Sequence, residues 1–248
     1  MKSKILAIIA TMMIASSTAH AENVTKEELG GLVRAYLLKN PKVIIEAVEN
    51  FQKQESAKEM SGVKDAVKAN HKAIYENNAH GSIGDANAKI AVVEFFDYNC
   101  SACKYMFKPL DALRKAGLKD LRLVFVEYPI FGAESQELAK IALAVNQVIP
   151  AKYYEFHGKM MQHKGKIDKV IALGFAEEVG LKREDLEKEL TNPKYAKILA
   201  DNAKLGEALK LRGTPFLIIG DEPIPSALDE AGLQEYIKRA KESKSQAK

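Results

Sequence analysis

The chain has 248 residues, with 37 Lys and Arg against 33 Asp and Glu, two cysteines and no tryptophan. Its formal charge of +4 comes from interspersed signs, so there is no basic stripe of the kind a nucleic-acid partner requires. A bridge between Cys100 and Cys103 would close almost no loop and would constrain the unfolded chain little, which excludes a stabilising disulfide framework.

The first residues read as an export signal. Lys2 and Lys4 give a positive start, Ile5 to Ala10 opens an apolar stretch that continues through Met12, Met13 and Ile14, and Ala19-His20-Ala21 fits a small-x-small cleavage site before Glu22. The apolar run falls short of the ~20 residues a spanning helix needs, and Ser16, Ser17 and Thr18 interrupt it. Residues 1–21 are therefore expected to be a cleaved signal peptide. Loss of Lys2 and Lys4 brings the charge from +4 to about +2. A periplasmic or envelope-associated location follows.

Residues 22–80 read as an N-terminal helical arm. Thr25 and Glu28 form a capping-box pattern, after which Leu29, Leu32, Val33, Tyr36 and Leu37 fall on one helical face. Asn40-Pro41 breaks that helix and starts another, with Asn as N-cap and Pro in the first position. Ile44, Ala47, Val48 and Phe51 continue the stripe, and Met60, Val63, Val67 and Ile74 extend it more sparsely. Such a face needs a partner surface in water. Packing on the chain's own catalytic domain competes with self-association into a homodimer or homotrimer, and the polar remainder of the helices favours the second.

Residues 81–248 read as one catalytic domain. His80 to Asp85 is a turn-rich linker, and Lys89 to Phe96 is a buried central strand. A helix begins at Cys100, with Pro109 expected to kink it, and Leu121 to Tyr128 is a second strand. Helical segments fill a long insertion at about 133–210: Ser135–Val148, Ala151–His163, Lys166–Glu178, Arg183–Leu190 and Pro193–Leu209. Phe216 to Ile219 is a third strand, an edge element lies near Ile224, and a last helix runs from Asp229 to about Glu242. Each strand–helix–strand crossover implies a parallel pairing in a sheet covered by helices, an α/β plan.

Cys100-Ser101-Ala102-Cys103 stands at a strand-to-helix junction. Unpaired backbone N–H groups and the positive end of the helix dipole favour a thiolate at Cys100 there. Thiolates are the attacking species, so Cys100 is the expected nucleophile, and Cys103, one turn on, the resolving thiol of a redox-active pair. A zinc site needs three or four ligands. No second cysteine pair exists, and His71, His80, His157 and His163 are scattered, so neither a metal nor another cofactor is expected; Cu(I) held by the two thiolates is a secondary reading. Glu94 and Glu127 stand in or beside apolar strands. A proton relay to Cys103 and a lysine-paired strand end are equally open for them.

Val93-Glu94-Phe95-Phe96-Asp97-Tyr98-Asn99-Cys100-Ser101-Ala102-Cys103-Lys104, together with Thr214-Pro215 before the third strand, resembles the DsbA-like branch of the thioredoxin superfamily over roughly residues 86–243. The resemblance implies a thioredoxin fold with a helical insertion, to which the arm is added. It implies a cis Pro215 facing the active-site disulfide and a Thr214 backbone that hydrogen-bonds an extended substrate segment. Asn40 to Ala47 is also similar to N-terminal segments of oligomeric members that act as disulfide isomerases. The strongly oxidising members carry a His between the cysteines, which Ser101 and Ala102 do not replace. A Cys100 pKa below the ordinary ~8.5 but less extreme than ~3.5 is expected.

The expected function is formation or isomerisation of disulfides in exported proteins, with a membrane redox partner to restore the pair. The alternative is a non-catalytic periplasmic chaperone or surface-associated binding protein whose two thiols hold Cu(I).

Overall fold

The computed structural model describes residues 25–246, so the expected signal peptide, residues 1–21, lies outside the described residues. The chain divides into two units, one ending at Glu55 and the other beginning at Ser56.

In the first unit, α1 (Lys26–Lys39) opens with a complete capping box. Thr25 Oγ1 accepts from Glu28 N at 3.3 Å, and the Glu28 carboxylate accepts from Thr25 N at 3.0 Å. Asn40 does not cap the helix that follows it, as the spacing suggested. Its backbone N–H and its Nδ2 both return to Tyr36 O, each at 2.9 Å, so the carboxamide adds a second hydrogen bond to a carbonyl in the last turn of α1. The chain then turns through Pro41 into α2 (Lys42–Ala69). Leu29, Leu32, Val33 and Tyr36 share one face of α1, and Ile44, Val48 and Phe51 share one of α2; all seven are exposed.

In the second unit, the end of α2 buries Val63 and Val67, and α3 (His71–Tyr75) buries Ile74. Five strands form one sheet in the order β1-β3-β2-β4-β5. They are β1 (Gly81–Gly84), β2 (Ile90–Phe96), β3 (Leu121–Glu127), β4 (Phe216–Ile219) and β5 (Glu222–Ile224). β1 is a strand where a linker was expected. Two glycines and a serine carry little strand propensity, and antiparallel pairing with β3, from Gly81↔Phe125 to Gly84↔Arg122, supplies what the residues lack. A Cβ on Gly81 would sit 1.9 Å from the ring of buried Tyr153. Gly81→Ala is expected to cost about 1–3 kcal/mol, the range for overpacking. It would show as a lower urea midpoint at unchanged m value; an unaltered midpoint would mean that the Tyr153 ring moves aside freely.

β2 and β3 are parallel, joined by α4 (Ser101–Lys115), which runs through Pro109. The insertion holds α5 (Ala133–Val148), a 3-10 turn (Pro150–Lys152), α6 (Tyr153–Gln162), α7 (Lys169–Glu178), α8 (Arg183–Leu190) and α9 (Lys194–Ala208). α7 starts three residues later than the spacing predicts, because Asp168 is its N-cap and accepts from Ile171 N at 2.9 Å. The second crossover does not give a parallel pair. The insertion returns the chain to the carboxyl end of β2, so β4 runs antiparallel to β2, in the register Phe95↔Phe216 to Val92↔Ile219. α10 (Glu230–Gln246) ends the described chain.

Both faces of the sheet are covered, which is why its strands read as continuous apolar runs. Val93, Phe95, Val124, Val126, Phe216 and Ile218 pack with Val63, Val67, Ile74, Leu205 and Leu209. On the other face Val92, Phe96, Leu123, Phe125, Leu217 and Ile219 pack with Cys103, Met106 and Leu110 of α4 and with Leu138 and Ile141 of α5. Strand alternation puts Glu94 on this second face, level with Leu217 and Phe125.

Candidate active site

Cys100 is the N-cap residue of α4, where the first-turn N–H groups have no partner within the helix. Cys103, in the first turn, is fully buried, whereas Cys100 keeps 6% of its surface. Both are free thiols. The antiparallel register of β4 on β2 brings the residues before Phe216 level with those after Phe96, so sequence positions 114 apart meet: Cys100 Sγ lies 3.3 Å from Thr214 O, to which it donates when protonated. The Thr214–Pro215 peptide is cis. Thr214 Oγ1 is buried with no hydrogen-bond partner among the described residues, which leaves a hydroxyl ready to donate to a thiolate.

The environment separates the two sulfurs. The Cys100 thiol is lowered to about 5; donation from the Cys103 thiol is the largest cause, burial opposes it, and Thr214 and the backbone N–H groups of Cys103 and Ala102 add to the lowering. Burial pushes the Cys103 thiol in the other direction, reinforced by its role as donor to Cys100 and by the nearby Glu94 carboxyl. At neutral pH the pair therefore holds one thiolate and one thiol. Glu94 is 1% exposed, and its Oε1 has no hydrogen-bond partner among the described residues. Burial raises its pKa well above the usual carboxylate range, with the charge on Cys100 adding, so its surroundings favour the protonated acid.

Glu127 does not join this group. It is buried at the end of β3, with Tyr98 Oη 3.3 Å from its Oε1 and Asn202 Nδ2 donating to its backbone carbonyl at 2.9 Å. Burial pushes its carboxyl pKa upward, against the hydrogen bonds from Tyr98 and Tyr153. Tyr98 Oη is also 3.2 Å from His157 Nδ1, and burial lowers the completely buried His157 to about 3, a neutral imidazole inside an aromatic cluster. Neither Glu94 nor Glu127 forms an ion pair with a lysine among the described residues. His71 faces Glu76, His80 faces the carbonyl of Ala73, and His163 ends α6. No group of three or more His, Cys, Asp or Glu among the described residues is placed to hold a metal ion.

Sequence reading passed over Asp97 as the end of a strand. Its buried carboxylate accepts four hydrogen bonds: from Asn99 N and Ser135 Oγ at 2.8 Å each, from Ile130 N at 2.8 Å and from Phe131 N at 3.1 Å. It thereby ties the loop before Cys100 to the start of the helical insertion. An acidic residue between an apolar strand and a helix was the available signal, but Ile130, Phe131 and Ser135, which tie it to the insertion, lie more than 30 residues away.

Residues 91–238 match the DSBA-like thioredoxin domain family, and residues 26–58 match the family described as the copper resistance protein ScsC N-terminal domain. The chain is 32% identical to a thioredoxin-like oxidoreductase from Silicibacter pomeroyi, covering 69% of this chain and 97% of that one with a TM-score of 0.64. Against a linker-deletion variant of ScsC from Proteus mirabilis, identity is 26%, coverage is 92% of this chain and 100% of that one, and the TM-score is 0.68. Disulfide bond formation protein D of Bacillus subtilis is 22% identical over 169 residues, 63% of this chain and 75% of that one. No helix among the described residues is long and apolar enough to cross a membrane.

Proposed function

We propose, for a chain that belongs to the DSBA-like thioredoxin domain family, thiol–disulfide exchange with exported proteins, in which Cys100 attacks and Cys103 resolves. The Cys100 thiolate attacks one sulfur of a client disulfide, forming a mixed disulfide and releasing the client's other sulfur as a thiolate. Cys103, giving up its proton, then attacks Cys100 Sγ, which frees the second client thiol and leaves Cys100 and Cys103 joined. Run backwards, the same two steps oxidise a client. The proton that leaves Cys103 goes to the client sulfur released as thiolate, and the buried Glu94 carboxyl, whose field acts on Cys103, is the side chain proposed to relay it. Thr214 and Pro215 form the edge against which an extended client segment lies.

The observation that carries this reading is the division between the two sulfurs, one lowered to about 5 at a helix N-terminus and the other buried and raised. A leader at residues 1–21 places the chain in the periplasm, and a membrane redox partner restores the pair. Isomerisation of wrong disulfides is supported by the exposed face of Leu29, Leu32, Val33, Tyr36, Ile44 and Phe51, which a homodimer or homotrimer would cover. We take the associating arm to end before Ser56, shorter than the 22–80 stretch read from sequence, because Val63, Val67 and Ile74 lie in the core of the second unit.

The test compares the mature protein with a chain starting at Ser56. Both should catalyse insulin reduction by dithiothreitol, while only the longer one should sediment as an oligomer and rescue scrambled ribonuclease. A longer chain that sediments as a monomer would remove the arm from the mechanism. Absence of catalysed insulin reduction in either would remove the exchange function.

The match at residues 26–58 favours a second reading, Cu(I) held by Cys100 and Cys103 in a binding protein without catalysis. It predicts competition with a Cu(I) chelator that is lost in both cysteine variants, in a protein inert towards insulin.

A further inference from the structure

The segment between α6 and α7 is fastened to both sides of the C-x-x-C motif. Ahead of the motif, the Asn99 carboxamide pairs with one residue in the manner of a peptide group: Nδ2 donates to Ile167 O at 3.1 Å, and Ile167 N donates to Oδ1 at 2.8 Å. Behind it, Lys104 Nζ donates to His163 O at 3.1 Å and to Gly165 O at 2.5 Å. Ile167 is fully buried, and Lys166 pairs with Glu134 at the start of α5. Asn99 is also held from within its own loop, its N–H donating to Asp97 Oδ1 at 2.8 Å while Cys100 N donates to Asp97 O at 3.1 Å.

Residues 163–168 form neither helix nor strand and contribute no sulfur or acid to the site. Two side chains attach this segment to the motif. The two that do it are the immediate neighbours of Cys100 and Cys103, and no carboxylate among the described residues pairs with Lys104. The Asn99 clasp fixes the backbone that enters Cys100, and so fixes the angle at which Cys100 Sγ meets the first-turn N–H groups and Thr214. Sulfur hydrogen bonds weaken quickly with misalignment.

We propose that Asn99 and Lys104 are positioning residues for Cys100, using the 163–167 segment of the helical insertion as a strap that holds the nucleophile at the helix N-terminus. This rests on the exchange chemistry proposed above. The insertion thereby sets the reactivity of the thiol pair as well as enlarging the domain.

Asn99→Ala and Lys104→Met in the full mature chain test it, with four readouts: thiolate absorbance against pH, amide exchange at Ile167, insulin reduction and the urea midpoint. Asn99→Ala should speed Ile167 exchange and slow insulin reduction by about tenfold each, as expected for lost hydrogen bonds. It should also move the thiolate midpoint upward by about half a unit or more. Lys104→Met should act in the same direction on rate and midpoint, and it carries the test alone if Asn99→Ala does not fold. Faster exchange or a lower urea midpoint with an unchanged thiolate midpoint and rate would make the strap structural and overturn the proposal. Failure of the exchange reading is separate, because it would appear in the unsubstituted protein as absent insulin reduction.

Discussion

Cys100→Ser is expected to reduce catalysed insulin reduction to the background rate of dithiothreitol alone while the protein keeps its native circular dichroism. Serine fills nearly the same volume at the N-cap of α4 and is a favoured residue there, so the fold loses little. What it loses is the anion. A thiol lowered to about 5 is almost wholly thiolate at neutral pH, whereas a hydroxyl in the same place stays protonated and has no adjacent base. Cys103→Ser should behave differently. Cys100 would still attack, but nothing would release the adduct, so covalent complexes with clients should accumulate on non-reducing gels. Retained turnover in Cys100→Ser, or the absence of trapped complexes in Cys103→Ser, would contradict the assignment of attacking and resolving sulfurs.

The second large effect is on pH. Iodoacetamide should label reduced Cys100 at a rate that is flat above about pH 5 and falls as pH drops through that value, because only the thiolate reacts. Stability should follow the same charge. The pKa is lower folded than unfolded, so ionisation stabilises the folded reduced protein at higher pH, and that contribution disappears as pH falls through about 5. The disulfide form has no thiol to ionise. The reduced protein should therefore gain in Tm on the oxidised one between about pH 5 and about pH 8, below the range near ~8.5 where unfolded thiols ionise. A labelling midpoint at or above that of free cysteine, or a Tm gap that ignores pH, would sink both statements.

The sequence disclosed whatever depends on local pattern. The capping box at Thr25, the buried runs of β2 and β3 and the motif at the start of α4 were all legible. They need only the spacing of apolar residues and the chemistry of helix ends. Contacts made at long range were not legible. Gly81 to Gly84 has no strand pattern of its own and is ordered by β3. Asn40 could cap either helix, and only the folded chain shows its carboxamide turned back to Tyr36. The antiparallel entry of β4 depends on where the helical insertion returns the chain, which periodicity does not encode. Asp97, Asn99 and Lys104 were visible as polar residues around the cysteines. Their partners at residues 130, 135, 163 and 167 belong to elements whose placement could not be read one segment at a time.

The pairing of Phe95 with Phe216 also imposes an order of events on the growing chain. The sulfur of Cys100 is made 114 residues before the carbonyl that meets it, and that of Cys103 follows it at once. Through that interval a nascent polypeptide presents its thiols with no opposing loop to select what they touch. Maturation of the chemistry therefore waits on a strand of only four residues near the end of the molecule.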